Sequence, residues 1–567
     1  MIYIPKVTGT CRGAWNAVEV ALKAKKENKN VCVYKEILHN ERVISDLNKK
    51  GITCIDDLSK LTKDDVVVIR AHGEPKEVYE YLDKNNIKYY DATCPNVKRI
   101  HDIVNKKSSE GYNIIIVGKK NHPEVIGTLG WTNNKGIVIS GKDELKIEGK
   151  TLIVAQTTIS DTLFNEITKG VSCEVLNTIC KAQSNIQNSS VELAKKMDIM
   201  YVVGGEASSN TEVLYQKCKK VCKTYKFSDI NEFFKFNMNN NVSEKTKIGI
   251  TGGASTPLYQ IEEYKDLLEF IIYYKKMYKL FSKNIVKINN SFKENDNKLV
   301  IDAIDKLSEL NKDGKYIRAT LIALGYNIGG GKDNKFLPLS LAYETFQTAI
   351  LIHDDIIDNA TTRRGKETIP TLYNKEFDIS KDKEYINERN HLADSIGLCI
   401  GDLGFYLANQ LVLSNYKNHP NVLKVFSYYN DIVIKTIKGE IIDVMLPFKE
   451  KYKIGKSTLD DVMNIYHLKT SWYTIIGPFV LGLLLSNGKN VKKYEEILDN
   501  IGISFQIKDD IIGIFNNADV LGKSNQSDIN EYKQTILYSY TMNTSYKDEL
   551  IKIFLTLSNS ESFSFFP

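Results

Sequence analysis

A chain of 567 residues with 42% apolar and 26% charged side chains can build a large core, and its length alone suggests about four domains. The formal charge of +6 is small for this size. With no dense Lys/Arg stripe beside it, that charge argues against nucleic-acid binding and suits anionic small molecules. The nine cysteines sit in a chain that opens on a strand-like segment, without a signal or transit pattern. They are expected to be reduced thiols in the cytoplasm.

Up to about Thr256, short β-rich runs alternate with amphipathic stretches. Val66–Ile69, Ile114–Val117, Leu152–Val154, Met200–Val203 and Ile248–Ile250 are the clearest runs. This pattern predicts βαβ units around parallel sheets, with sites at the strand C-terminal ends. Three cysteines mark the units: Cys11, Cys94 and Cys180, separated by 83 and 86 residues. A polar residue follows each by 28 positions: His39, His122 and Ser208. A later polar cluster closes each unit, at His72, at Thr157-Thr158 and at Ser255. One unit used three times would bring three thiolates to one centre. Such a centre would hold an iron–sulfur cluster with one iron open to substrate.

The surrounding residue types suit a phosphorylated substrate. His39 and His72 can donate to phosphate oxygens, and Ser208, Ser209, Asn210 and Ser255 supply neutral donors. In His122-Pro-Glu124, a carboxyl group near a histidine and a threonine can deliver protons. Cys32, Cys54, Cys173 and Cys399 read as small core residues, and Cys218 and Cys222 share a helix face.

Asp91-Ala-Thr-Cys94-Pro, His122-Pro-Glu124-Val-Ile-Gly-Thr, Ala155-Gln-Thr-Thr158, Ser208-Ser-Asn210 and Gly253-Ala-Ser255-Thr-Pro resemble the 4-hydroxy-3-methylbut-2-enyl diphosphate (HMBPP) reductase family, over residues 1–275. The resemblance implies an α/β trefoil of three quasi-repeated units around a [4Fe-4S] cluster held by Cys11, Cys94 and Cys180. It implies reductive dehydroxylation to isopentenyl and dimethylallyl diphosphates (IPP and DMAPP). By the same resemblance, His39, His72, Thr158, Ser208, Ser209, Asn210 and Ser255 grip the diphosphate. Glu124, with Thr157 and His122, protonates the leaving hydroxyl. Electrons would come from an external donor such as ferredoxin or flavodoxin. Thr10 stands before Cys11 where the family usually has an aromatic residue.

From about Tyr273 the apolar spacing becomes helical, in Tyr343–Ile352, Asp394–Leu413 and Gly502–Phe515, so residues 276–567 are expected to be all-α. The apolar run Trp472–Leu485 is interrupted by Gly477 and Pro478 and reads as a buried helix, so no transmembrane segment is expected. His353-Asp-Asp-Ile-Ile-Asp358 stacks Asp354 and Asp358 on one helix face beside Asp355. A second pair, Asp509-Asp510, follows Phe505-Gln506. Carboxylates stacked this way favour Mg²⁺ shared with substrate phosphates.

With Gly314-Lys315-Tyr-Ile-Arg318, Arg363-Arg364-Gly, Gly439-Glu-Ile-Ile-Asp443, Lys469-Thr470 and Gly522-Lys523, these motifs resemble trans-isoprenyl diphosphate synthases. The resemblance implies an all-α isoprenyl synthase bundle with a central cavity. Asp354, Asp355, Asp358 and Asp509 would bind Mg²⁺, with Asp510 nearby. Arg363, Lys469 and Lys523 would bind the allylic diphosphate. Lys315, Arg318 and Arg364 would bind IPP, with Gln347 where a histidine often contacts it, and Thr470, Gln506 and Lys533 would also bind substrate. A homodimer is the implied assembly. Gly513, Gln347, Ala319 and Glu440 depart from the common Asp, His, Pro and Gln, and little chain follows Lys533. Ala349 is too small to floor the cavity and Phe346 lies a helical turn deeper. A turn of about 5.4 Å approaches one isoprene unit, which favours geranylgeranyl over farnesyl diphosphate.

The two readings cohere, since one half would make what the other consumes. Two alternatives stand beside this bifunctional enzyme. The helical half could be a binding or dimerisation module, or the first half a redox-sensing module.

Overall fold

The computed structural model describes residues 1–567 except 39, 207, 294–296, 453, 456, 516–532, 548 and 550–567. The chain forms two units, Met1–Tyr273 and Tyr274–Pro567.

In the first unit the strands are β1 (Ile2–Tyr3), β2 (Val31–Tyr34), β3 (Ile52–Ile55), β4 (Val66–Ile69), β5 (Lys88–Asp91), β6 (Asn113–Val117), β7 (Gly136–Ile139), β8 (Thr151–Ala155), β9 (Glu174–Leu176), β10 (Ile199–Val203), β11 (Lys223–Phe227) and β12 (Ile248–Gly252). They make three parallel sheets of order β3-β2-β4-β5, β7-β6-β8-β9 and β11-β10-β12-β1. All three follow one scheme: second, first, third, fourth. In the third sheet the fourth strand is the start of the chain, Ile2 pairing with Ile248 and Tyr3 with Gly249.

Central strands such as β4 and β8 are buried along their whole length. Each sheet therefore divides two apolar clusters, as parallel sheets covered on both faces do. In each sheet the fourth strand runs out to a cysteine, which caps the next helix: Cys11 before α1 (Arg12–Glu27), Cys94 before α2 (Pro95–Ser109) and Cys180 before α4 (Lys181–Ala194). Between them, α3 (Pro123–Gly130) starts at His122; further on, α5 (Ser209–Lys219) starts at Ser208.

The second unit is helical. Its site is built by α6 (Leu337–Ile357), α7 (Lys383–Tyr416), α8 (Val422–Lys451), a π-helix over Tyr466–Ile476, and α9 (Val491–Phe515). The helix Gly477–Leu485 is buried at every residue. Its Gly482 meets the Ile322 carbonyl so closely that a Cβ would sit 1.9 Å away, which accounts for glycine there. Two helices are long and apolar enough to cross a membrane by length and composition alone, Lys383–Tyr416 and Leu459–Leu485. In the second, 83% of the most apolar window is buried inside the protein, as a core helix requires.

Candidate active sites

The parallel topology puts the loops after the strands at one end of each sheet, and the three cysteines line a single cavity of about 400 Å³. The Cys11 thiol accepts from the Ala14 amide at 3.4 Å, closing the first turn of α1. Burial pushes the Cys11 and Cys94 thiols up, and each is raised further by the neighbouring cysteines. Among the described residues, no set of His, Cys, Asp or Glu closes to the distance of a single ion. Three thiols lining one cavity fit a thiolate-bound group.

His72, His122, Glu124, Thr157, Thr158, Ser208, Asn210 and Ser255 line the same cavity. Glu124 is fully buried in the first turn of α3, where its two oxygens accept from the Thr157 amide and the Thr157 hydroxyl, both at 2.6 Å. Burial raises its pKa against the opposing pull of these hydrogen bonds. The Glu124 amide donates to His122 Nδ1 at 3.2 Å, and the His122 ring meets His72 edge-on at 5.6 Å. On the opposite wall, Ser208 accepts from the Thr211 amide and lies 3.4 Å from the Ser255 hydroxyl. Gln183 donates to Asn210, and Gln156 to Thr158 at 2.6 Å. His39 lies outside the described residues, as does the side chain of Ser209.

Several supporting residues escaped sequence reasoning. Asn96 donates to Cys180 Sγ at 3.3 Å, and Asn40 donates to the Ser255 carbonyl at 3.1 Å. Arg70 and Glu74 form a buried ion pair at 2.6 Å across the His72 loop. Gly73 turns there with φ +68°, hard against His101, leaving no room for a side chain.

In the second unit, Asp354, Asp355 and Asp358 stand at the end of α6 beside a cavity of about 680 Å³, which Asp354 lines. Cationic side chains occupy these carboxylates. Arg363 donates to Asp354 at 2.6 Å and to Asp355. Lys469 approaches Asp443 at 2.6 Å, Glu440 at 2.8 Å and Asp354 at 3.6 Å, and Lys533 lies 3.8 Å from Asp358. Burial works against the Asp354 charge, but Lys469, Arg363 and Lys533 hold its pKa below the usual range. Burial carries Asp355 up to about 6 despite Arg363. For Lys469, burial is outweighed by Asp443, Asp354 and Glu440, which raise its pKa.

Asp510 is buried, with its oxygens taken by Tyr466 and by Gln506 at 2.8 Å, while Asp509 is exposed. Thr470 donates to Gln506 at 2.5 Å. The π-helix carries Tyr466, Lys469, Thr470 and Tyr473 together; such helices gather at functional sites. Arg318 lies 4.1 Å from the Tyr473 ring centroid and donates to Thr474 at 2.8 Å. Arg364 donates to the Asp313 carbonyl at 3.2 Å, Lys315 is exposed and Gln347 is buried. Lys523 lies outside the described residues. Glu344, which sequence reasoning missed, is buried between Arg318 and Arg364 and accepts from the Ala319 amide at 2.9 Å.

The expected cavity floor is different in detail. Ala349 is fully buried; a Cβ on Gly404 of α7 would lie 2.9 Å from its own, so the pair seals a helix contact rather than facing the tail cavity. Phe405 and Tyr429 line the cavity, and Phe346 backs both at 5.6 and 5.5 Å between ring centroids.

The LytB protein family matches residues 2–269 and the polyprenyl synthetase family matches residues 299–562. The 4-hydroxy-3-methylbut-2-enyl diphosphate reductase of Thermoanaerobacter sp. (strain X514) is 39% identical over 283 residues, which cover 48% of this chain and 97% of that protein. Its counterpart in Clostridium perfringens (strain 13 / Type A) is 40% identical over 272 residues, 46% and 96% of the two chains. A solved (E)-4-hydroxy-3-methyl-but-2-enyl diphosphate reductase is 35% identical, covering 47% of this chain and 98% of its own, with a TM-score of 0.41. Geranylgeranyl pyrophosphate synthase from Corynebacterium glutamicum is 22% identical, covering 48% and 77%, with a TM-score of 0.43. The chain belongs to the 4-hydroxy-3-methylbut-2-enyl diphosphate reductase (LytB) family through its first half and carries a polyprenyl synthetase domain in its second.

Proposed function

We propose that one chain performs two consecutive steps of isoprenoid synthesis, with residues 1–275 as the reductase and 276–567 as the prenyltransferase. The first half takes HMBPP, two electrons and two protons, breaks the allylic C–O bond, forms a C–H bond and releases water with IPP or DMAPP. The second breaks the C–O bond of an allylic diphosphate, joins its carbon to the IPP alkene, and releases diphosphate and a proton. The observations that carry this reading are one cavity lined by three thiols and a buried carboxyl in the first half, and an aspartate motif met by three cations beside a large apolar cavity in the second.

In the reductase half, Cys11, Cys94 and Cys180 would hold a [4Fe-4S] cluster, which would supply single electrons and a Lewis-acidic iron. His72, Ser208, Asn210 and Ser255 orient the diphosphate, with His39 and Ser209 in the same role. Glu124, its pKa raised by burial and its carboxyl held by Thr157, delivers the proton to the leaving oxygen. An acidic ferredoxin or flavodoxin reduces the enzyme in the cytoplasm.

In the synthase half, Asp354, Asp355, Asp358 and Asp509 would hold Mg²⁺. Hard oxygen ligands, open to water and phosphate, suit that ion. Arg363, Lys469 and Lys533, which meet carboxylates here, would turn to the diphosphate oxygens of a bound substrate. Asp355, with its pKa near 6, makes loading proton-sensitive. Mg²⁺ affinity, followed by titration calorimetry with an allylic diphosphate analogue, is expected to rise as pH climbs through about 6 and to level off above. A flat profile from pH 5 to 8 would remove Asp355 from the metal site.

The product is geranylgeranyl diphosphate, with Phe405 and Tyr429 ending the cavity, and the working assembly is a homodimer. Tyr429→Ala is expected to shift products to longer chains by chromatography; an unchanged length distribution places the floor elsewhere.

The whole reading is tested by an anaerobic one-pot assay. Cluster-reconstituted chain receives HMBPP, reductant and Mg²⁺, and products are separated by length. Chelating the Mg²⁺ should leave five-carbon products only. Five-carbon products with Mg²⁺ present would favour the alternative, in which the helical half only binds or dimerises.

A further inference from the structure

The outer side of the three-cysteine centre carries positive charge that neither proposed reaction uses. The residue after each cysteine is exposed: Arg12, Pro95 and Lys181. The three helix starts converge. A Cβ on Gly13 would lie 2.5 Å from Cys94 Sγ, and Asn96, the second residue of α2, donates to Cys180 Sγ. Arg99 is exposed one turn above Pro95, on the same face of α2.

None of these helices has an acidic residue in its first turn. Lys98 is tied to Asp91 at 2.8 Å, but Arg12, Arg99 and Lys181 make no ion pair among the described residues. A cation at the first position of a helix opposes the helix dipole. Helix stability therefore does not account for Arg12 or Lys181, and both are left open to an outside anion.

We propose that Arg12, Arg99 and Lys181 form the docking rim for an acidic one-electron carrier protein. The proposal rests on reading the first half as a reductase and adds where its electrons enter. Two reduced carriers are oxidised per turnover, each giving one electron, and the two protons come from the site and solvent. A carrier on this rim sits one residue along the chain from Cys11 and from Cys180. Complementary charge steers such an encounter and makes it salt-sensitive.

The test uses the full, cluster-loaded chain carrying Arg12→Glu and Lys181→Glu, with Arg12→Gln and Lys181→Gln as a milder pair. Purified acidic flavodoxin is the probe. Three quantities are measured: flavodoxin affinity at low and high salt, turnover with flavodoxin against dithionite, and the midpoint potential of the centre. The rim predicts roughly ten-fold or greater loss of flavodoxin affinity at low salt in the reversal variant, with a smaller loss in the glutamine pair. Dithionite-driven turnover and potential should stay as in the native chain. Unchanged affinity overturns the rim. Equal losses with both reductants, or a shifted potential, also overturn it, since the charges would then act on the centre itself. A native chain that binds flavodoxin through these residues but never reduces HMBPP supports the rim and overturns the reductase reading.

Discussion

A chain carrying Asp354→Ala is expected to convert HMBPP to five-carbon diphosphates and stop there. Asp354 meets both Arg363 and Lys469 and lines the large cavity, and the proposed function puts metal, diphosphate and allylic carbon together there. Losing a metal ligand removes stabilisation of the departing diphosphate, with a loss on the order of 10²–10³-fold or more in condensation rate. The fold should survive. Arg363 keeps Asp355, and Lys469 keeps Asp443 and Glu440, so no buried cation is left without an anion. A melting curve close to the native one, with reductase turnover unchanged, separates this from misfolding. Full-length prenyl products from the variant would exclude Asp354 from the metal site.

Glu124→Gln is expected to silence the other half. Glutamine matches the carboxyl in size and keeps one acceptor for Thr157, but has no acidic proton to give. General acid catalysis contributes about 10²–10⁴-fold, and the loss should fall in that range. The cluster's visible spectrum should not change, because Glu124 holds no thiol. The pH profile gives a second check. An acid works while protonated, so native turnover declines as pH rises through the raised pKa of Glu124. That decline should vanish in the variant. Retention of both rate and profile would assign the proton to another group, with His122 the nearest donor.

Features carried by one residue type at a regular spacing were legible in the sequence. The cysteines announce the three units because each follows a fourth strand and starts a helix, two events with their own local signals. The aspartate motif announces itself because stacked carboxylates are costly without cations. What escaped was partner choice. No local pattern says that Arg363 spans Asp354 and Asp355, or that Asp510 is consumed by Tyr466 and Gln506. The packing of Ala349 was not legible either, because it depends on Gly404, which comes from another helix. Glu344 and the Arg70–Glu74 pair were invisible for the same reason: a lone charge in a sequence reads as surface until its burial is known.

The third sheet borrows its last strand from the beginning of the chain, and this sets an order of assembly. The first two sheets are complete once residues 31–91 and 113–176 have been made. Cys11, however, is anchored through residues 2–3 pairing with residues 248–249, and its amide donates to the Ala254 carbonyl. On the ribosome, the first cysteine to emerge is thus the last to be placed. Three thiols cannot face one another until about 250 residues have left the exit tunnel. A cofactor that needs all three must be delivered to a nearly finished domain, and a chain stalled before β12 exposes a thiol pair with no third ligand in place.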